Sequence, residues 1–160
     1  MKRIWSPWRM KYIKENSSHP ECPFCKAISE GDDQENLVVY RGKYAFVMLN
    51  RYPYTTGHIL VLPYIHQEKM SEFDPKTRSE MIELVNQAGQ VLELVYKPEG
   101  LNVGLNLGMA AGAGIPKHLH WHIVPRWMGD TNFITTVGNV RVLPESLEDS
   151  YQKIQSSWDK

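Results

Sequence analysis

Residues 118–124 read His118-Leu119-His120-Trp121-His122-Ile123-Val124, three histidines in strict alternation with apolar side chains. That is the two-residue period of a β-strand, so one strand presents all three imidazoles on one face and presses Leu119, Trp121 and Ile123 into a core with the other. A lone histidine on a strand is ordinarily a satisfied core or surface residue. Here three of the chain's six histidines fall within five residues. Protonating such neighbours together is costly, so the pattern points to a metal or a phosphate that uses the rings.

The remaining pattern surrounds this strand with others. Residues 37–41 and 44–50 are β-rich runs separated by Arg41-Gly42-Lys43, which reads as a hairpin. A strand over 58–63 follows the turn-rich Tyr52-Pro53-Tyr54-Thr55-Thr56-Gly57. Asp74-Pro75 supplies an N-cap and a first-turn proline, and Met81, Val85, Ala88, Val91, Leu92 and Val95 recur at helical spacing until Lys97-Pro98. A strand over 101–107 leads into a loop over 108–117, which holds Gly108, Gly112 and Gly114, and then into a strand over 118–127. Leu147, Tyr151, Ile154 and Trp158 predict a C-terminal helix with acids early and lysine late. The implied fold is α+β, a mainly antiparallel sheet of about five strands with one long helix and a C-terminal helix.

With 160 residues, 42% of them hydrophobic, the chain suits one domain spanning 1–160. Its expected parts are an irregular arm over 1–36, onto which Trp5 and Trp8 pack, a core over 37–130, and a tail with helix over 131–160. Lysine plus arginine and aspartate plus glutamate both number 18. No global field therefore recruits polyanions, which argues against a nucleic-acid partner. The apolar runs at 45–49 and 59–62 are far shorter than the roughly 20 residues of a membrane span. Lys2 and Arg3 are followed by no apolar leader, so a cytoplasmic location is expected.

The triad run resembles the signature of the histidine triad (HIT) superfamily. Phe46-Val47-Met48-Leu49-Asn50 followed by Gly57-His58-Ile59-Leu60-Val61-Leu62-Pro63 is similar to that family's nucleoside-binding hairpin. The resemblance implies that Asn50 binds ribose hydroxyls, that His58 lies beside the triad, and that His120 is the nucleophile. The chemistry suits the residue type, because a neutral imidazole attacks phosphorus near pH 7 and gives a nucleotidyl-histidine that water or phosphate resolves. His122 and the loop amides of Gly112, Ala113 and Gly114 are the expected holders of phosphate oxygens. Many members carry Gln and Ser or Thr just before the triad, where this chain has Gly114-Ile115-Pro116-Lys117. A leaving group that needs little protonation, such as ADP or ATP, therefore fits better than a phosphoramide amine. Lys117 is a candidate for a polyphosphate tail.

Cys22 and Cys25 have the spacing of half a tetrahedral zinc site, and reduced thiols or a redox pair are the other readings of Cys-Pro-Phe-Cys. Resemblance to zinc-bearing triad proteins, including hexose-phosphate uridylyltransferases, implies that His66 and His118 complete a structural site. Four protein ligands leave no open position for water.

Trp5-Ser6-Pro7-Trp8-Arg9, Cys22-Pro23-Phe24-Cys25, Asn102-Val103-Gly104-Leu105-Asn106-Leu107-Gly108 and the stretch from Pro125-Arg126-Trp127 to Phe133 look most like the bacterial diadenosine tetraphosphate phosphorylase branch. That implies phosphorolysis of diadenosine tetraphosphate to ADP and ATP, with Asn106 near the α-phosphate or ribose. Hydrolysis of dinucleoside polyphosphates or of nucleoside phosphoramidates, and a non-catalytic nucleotide sensor, remain open alternatives. The expected partners are an adenine nucleotide or dinucleoside polyphosphate, inorganic phosphate, and a second copy of the chain. The homodimer would join through the long helix and the 101–107 strand.

Overall fold

The continuous apolar runs at 45–49 and 59–63 are buried on both faces and form inner strands of a five-stranded sheet. A computed structural model describes residues 21–138 and 143–158; Trp5, Trp8 and the start of the expected arm lie outside the described residues. The strands are β1 (Val38–Arg41), β2 (Ala45–Leu49), β3 (Ile59–Pro63), β4 (Gly100–Leu105) and β5 (Trp121–Arg126), ordered β1-β2-β3-β5-β4 with every neighbour antiparallel. The helices among the described residues are α1 (Pro23–Glu30), α2 (Pro75–Tyr96), α3 (Phe133–Val137) and α4 (Leu147–Trp158). This is the α+β arrangement expected, with strand ends moved by one to three residues.

The larger core lies behind the sheet. Val39, Val47, Leu49, Ile59, Val61 and Ile123 meet Met81, Leu84, Ala88 and Leu92 of α2 and Tyr151, Ile154 and Trp158 of α4. Each such side chain contributes roughly 1.5–3 kcal/mol when fully buried. The alternate residues Val38, Phe46, Met48, Leu60 and Leu62 face the other way and pack against Phe24 of α1.

Asp74 caps α2 as expected, its side chain accepting from the Lys76 and Thr77 amides at 2.8 and 3.1 Å. The helix stops at Lys97, whose φ of 47° leaves the helical region and is followed by Pro98. The sequence pattern did not disclose that the Glu80 carboxylate reaches from α2 to the β1–β2 turn. It accepts the Lys43 and Ala45 amides, each at 2.9 Å, and the Tyr44 amide. Gly42 is required in that turn, because a Cβ there would sit 2.8 Å from the Ala45 carbonyl oxygen.

Three expectations need correction. The 1–36 segment is not irregular throughout: Pro23 begins an eight-residue helix, Phe24 and Ala27 bury one side of it, and Gly31 ends it at a φ of 72°. The histidine strand starts at Trp121 and not at His118, for the reason given below. The last turn of α4 carries no basic residue; its Lys153 lies mid-helix and pairs with Glu145. Among the described residues no helix is long and apolar enough to cross a membrane.

Candidate active site

β5 is held on both sides, with His122 level with Leu60 of β3 and Gly104 of β4. One would expect the ladder to continue back to His118, but Pro63 has no amide hydrogen to donate. The chain leaves the sheet there. The Leu119 amide donates to the Gln67 carbonyl at 2.8 Å, and His118 Nε2–H donates to the Pro63 carbonyl at 2.9 Å. The His118 ring stays on the Phe24 side with His120, 5.5 Å from that phenyl ring, but joins the Cys22 and Cys25 pair. His58, immediately before β3, takes its place beside the other two: ring centroids are 4.9 Å apart for His120 and His122, and 5.1 Å for His58 and His122.

The hydrogen bonds determine where the ring protons sit. The Tyr54 backbone N–H lies 3.1 Å from His58 Nδ1, so that nitrogen accepts and His58 carries its proton on Nε2. His58 Nε2–H then donates to His122 Nδ1 at 2.9 Å. His122 must carry its own proton on Nε2, a buried atom with no hydrogen-bond partner among the described residues. His120 is set independently. Its Nδ1–H donates to the His118 carbonyl at 2.8 Å, leaving the lone pair on Nε2. Burial lowers the affinity of His120 for a second proton and pushes His122 down to about 4, so both rings are neutral near pH 7. A lone pair and an unsatisfied N–H thus sit on adjacent rings.

The other expected site residues surround this pair. Asn50 Nδ2 is 3.3 Å from His58 Nδ1, and its Oδ1 accepts the Tyr52 amide at 2.9 Å. Asn106 follows β4 directly, and continuing the Leu105–Trp121 register puts it level with His120. The Gly112 and Ala113 amides, expected to meet phosphate, donate instead to the Met109 and Gly108 carbonyls at 3.0 and 3.3 Å, closing a 3-10 turn. Gly114 and Lys117 are exposed on the same loop. Ile115, partly buried, packs against the smaller core. Two neighbours escaped the sequence reading. Phe24 of α1 lies 5.2 Å from the His120 ring, and Tyr54 lies 4.6 Å from His58 and 5.7 Å from His122.

Cys22, Cys25, His66 and His118 form a second cluster, their ligand atoms all within 4.8 Å of one another. Cys22 Sγ is 3.5 Å and Cys25 Sγ 3.6 Å from His118 Nδ1, and Cys25 Sγ is 3.3 Å from His66 Nδ1. A tetrahedral zinc ion with ordinary bond lengths sets sulfur and nitrogen ligands about 3.5 Å apart, so the donor set fits one. The Pro63 carbonyl supports this by holding the proton on His118 Nε2, which aims the Nδ1 lone pair at the thiols. Burial, then the Cys22 thiol, push Cys25 up to about 11, an unfavourable setting for thiolates that a bound cation would reverse.

The HIT domain family profile matches residues 32–128. The chain belongs to the HIT domain family. This HIT protein is 39% identical over 166 residues to a Mycobacterium tuberculosis protein named AP-4-A phosphorylase, an alignment covering 99% of this chain and 85% of the relative. It is 32% identical over 93 residues to the asymmetrical bis(5'-nucleosyl)-tetraphosphatase of Schizosaccharomyces pombe, covering 58% of this chain and 50% of that one. Its fold superposes with a TM-score of 0.70 on a Zn-bound histidine triad family protein from Mycobacterium smegmatis, at 26% identity and covering 87% of this chain and 94% of the other.

Proposed function

We propose that this HIT protein is a nucleotidyl transferase that phosphorolyses diadenosine tetraphosphate through a nucleotidyl-histidine. His120 Nε2 attacks the α-phosphorus, forming a P–N bond as the P–O bond to departing ATP breaks. An oxygen of inorganic phosphate then attacks the same phosphorus, returns the P–N electron pair to Nε2, and leaves as ADP. The observation that carries this reading is the protonation pattern, a lone pair on His120 Nε2 beside an unpartnered Nε2–H on His122. The His118 carbonyl stabilises the positive charge that develops on His120 during attack. His122 Nε2–H holds a non-bridging oxygen, oriented by His58. Asn50 binds ribose, Asn106 and Gly114 line the phosphate path, and Lys117 meets the polyphosphate tail. Gly112 and Ala113 shape that loop while their amides serve its turn.

The names of the relatives favour a dinucleoside polyphosphate as substrate, and the partly buried, apolar Ile115 favours a leaving group that needs no proton. We assign the Cys22, Cys25, His66 and His118 cluster to a structural zinc ion, which when bound ties α1 to the start of β5. We assign the chain to a homodimer through α2 and β4, because β4 is an edge strand and Val103 and Leu107 are 49% and 54% exposed.

Incubating wild type and His120→Ala with diadenosine tetraphosphate, with and without phosphate, and resolving the products tests this. Wild type should give ADP and ATP only when phosphate is present, and His120→Ala should lose roughly 10⁴-fold in turnover while still binding nucleotide. AMP and ATP in either condition would make water the acceptor and the protein a hydrolase. Tight binding with no product at all would leave a sensor.

A further inference from the structure

The β2–β3 loop is tied down more firmly than a surface connection needs to be. Asn50 Oδ1 accepts the Tyr52 amide at 2.9 Å, the His58 amide donates to the Thr55 carbonyl at 3.3 Å, and Thr55 Oγ1 donates across to the Pro125 carbonyl of β5 at 2.9 Å. Gly57 packs so closely that a Cβ there would lie 2.8 Å from the Tyr96 ring. Pro53 further narrows the backbone. These restraints flank one residue, Tyr54, whose main chain and side chain both meet the imidazole pair.

We infer that Tyr54 is a positioning residue for His122: its amide selects the His58 tautomer and its ring roofs both imidazoles. The inference rests on the proposed role of His122 as the phosphate holder. The amide at 3.1 Å from His58 Nδ1 forces the proton to Nε2, and the 2.9 Å bond passes that choice to His122. The ring lies nearly parallel to His122, at 18° and 5.7 Å, and tilts over His58 at 4.6 Å. It keeps water from one face of the pair, so the His58–His122 bond is not exchanged for solvent bonds and His122 Nε2–H stays aimed into the site. Tyr54 is 43% exposed, so truncating it spares the core.

Nitrogen-15 histidine NMR of the substrate-free protein, alongside steady-state kinetics with diadenosine tetraphosphate, tests this in wild type, Tyr54→Phe and Tyr54→Ala. The titratable groups facing His122 are His58, His120 and Tyr54 itself; Gly104 of β4, opposite it, adds none. Tyr54→Phe keeps the ring and should retain the Nε2–H tautomer of His122 and turnover within about twofold. Tyr54→Ala should mix the His122 tautomers, raise its titration by about one pH unit toward the ordinary histidine value, and lower kcat about tenfold with KM changed less than about twofold. Tautomer, titration and kcat all at wild-type values in Tyr54→Ala would overturn the inference. So would a loss in Tyr54→Phe equal to that in Tyr54→Ala, which would make the hydroxyl the working group. The NMR arm needs no substrate, so a wild type that turns nothing over would sink the proposed activity and leave this inference standing or falling by its own signal.

Discussion

His118 and His120 are two residues apart on one short segment, yet their rings serve different clusters. Alternation in the sequence made the reactive face legible, and it correctly put Leu119 and Ile123 into the core. It was silent on the late start of the strand at Trp121 and on the His118 bond to the Pro63 carbonyl, because both depend on a residue 55 positions away. It was equally silent on tautomers, which rest on main-chain groups of Tyr54 and His118 that have no compositional mark. Those protonation states have a measurable consequence for pH. The folded value of His122, about 4, lies below its ordinary 6.5, so between the two the unfolded chain binds a proton that the folded one refuses. Stability is therefore full above about pH 7 and falls as pH drops from 6.5 to 4, with a slope approaching about 1.4 kcal/mol per pH unit for one imidazole. Urea unfolding across that range should show the decline, and His122→Gln should flatten it by up to one proton. An equal slope in the variant would refute the assignment.

At the level of elements, α1 is the piece the sequence reading missed, although Pro23 near its start and Gly31 after its end are the usual helix punctuation. Cys22 and Cys25 drew attention to metal chemistry and away from Phe24, Ala27 and Ile28, whose spacing marks the buried side. The two readings belong together, since the helix that carries the thiols also lays Phe24 against His118 and His120. By contrast α2 was readable from end to end, its cap, period and stop all being local signals. Metal removal probes α1 directly. Protein purified without added metal should hold about one zinc per chain, and chelation or His118→Ala should release it and lower Tm by at least about 5 °C. Metal analysis finding only a trace, with an unchanged melting curve under chelator, would end the zinc assignment.

For the whole molecule, the strand order leaves β4 at an edge, with no strand on its outer side among the described residues. A dimer through this edge predicts twice the chain mass in solution, and Val103→Lys should shift that mass to the monomer; a monomeric wild type would refute it. The sheet order itself was not legible, because β5 inserts between β3 and β4 by long-range pairing that no local pattern encodes. The two faces of that sheet are unequally supported. Behind it stand the 22 residues of α2 and the 12 of α4, while the histidine side rests on the eight residues of α1. Damage confined to the thin side can therefore silence the protein while its bulk helical signal, its size and its solubility look healthy, so circular dichroism alone would pass a preparation that has already lost its chemistry.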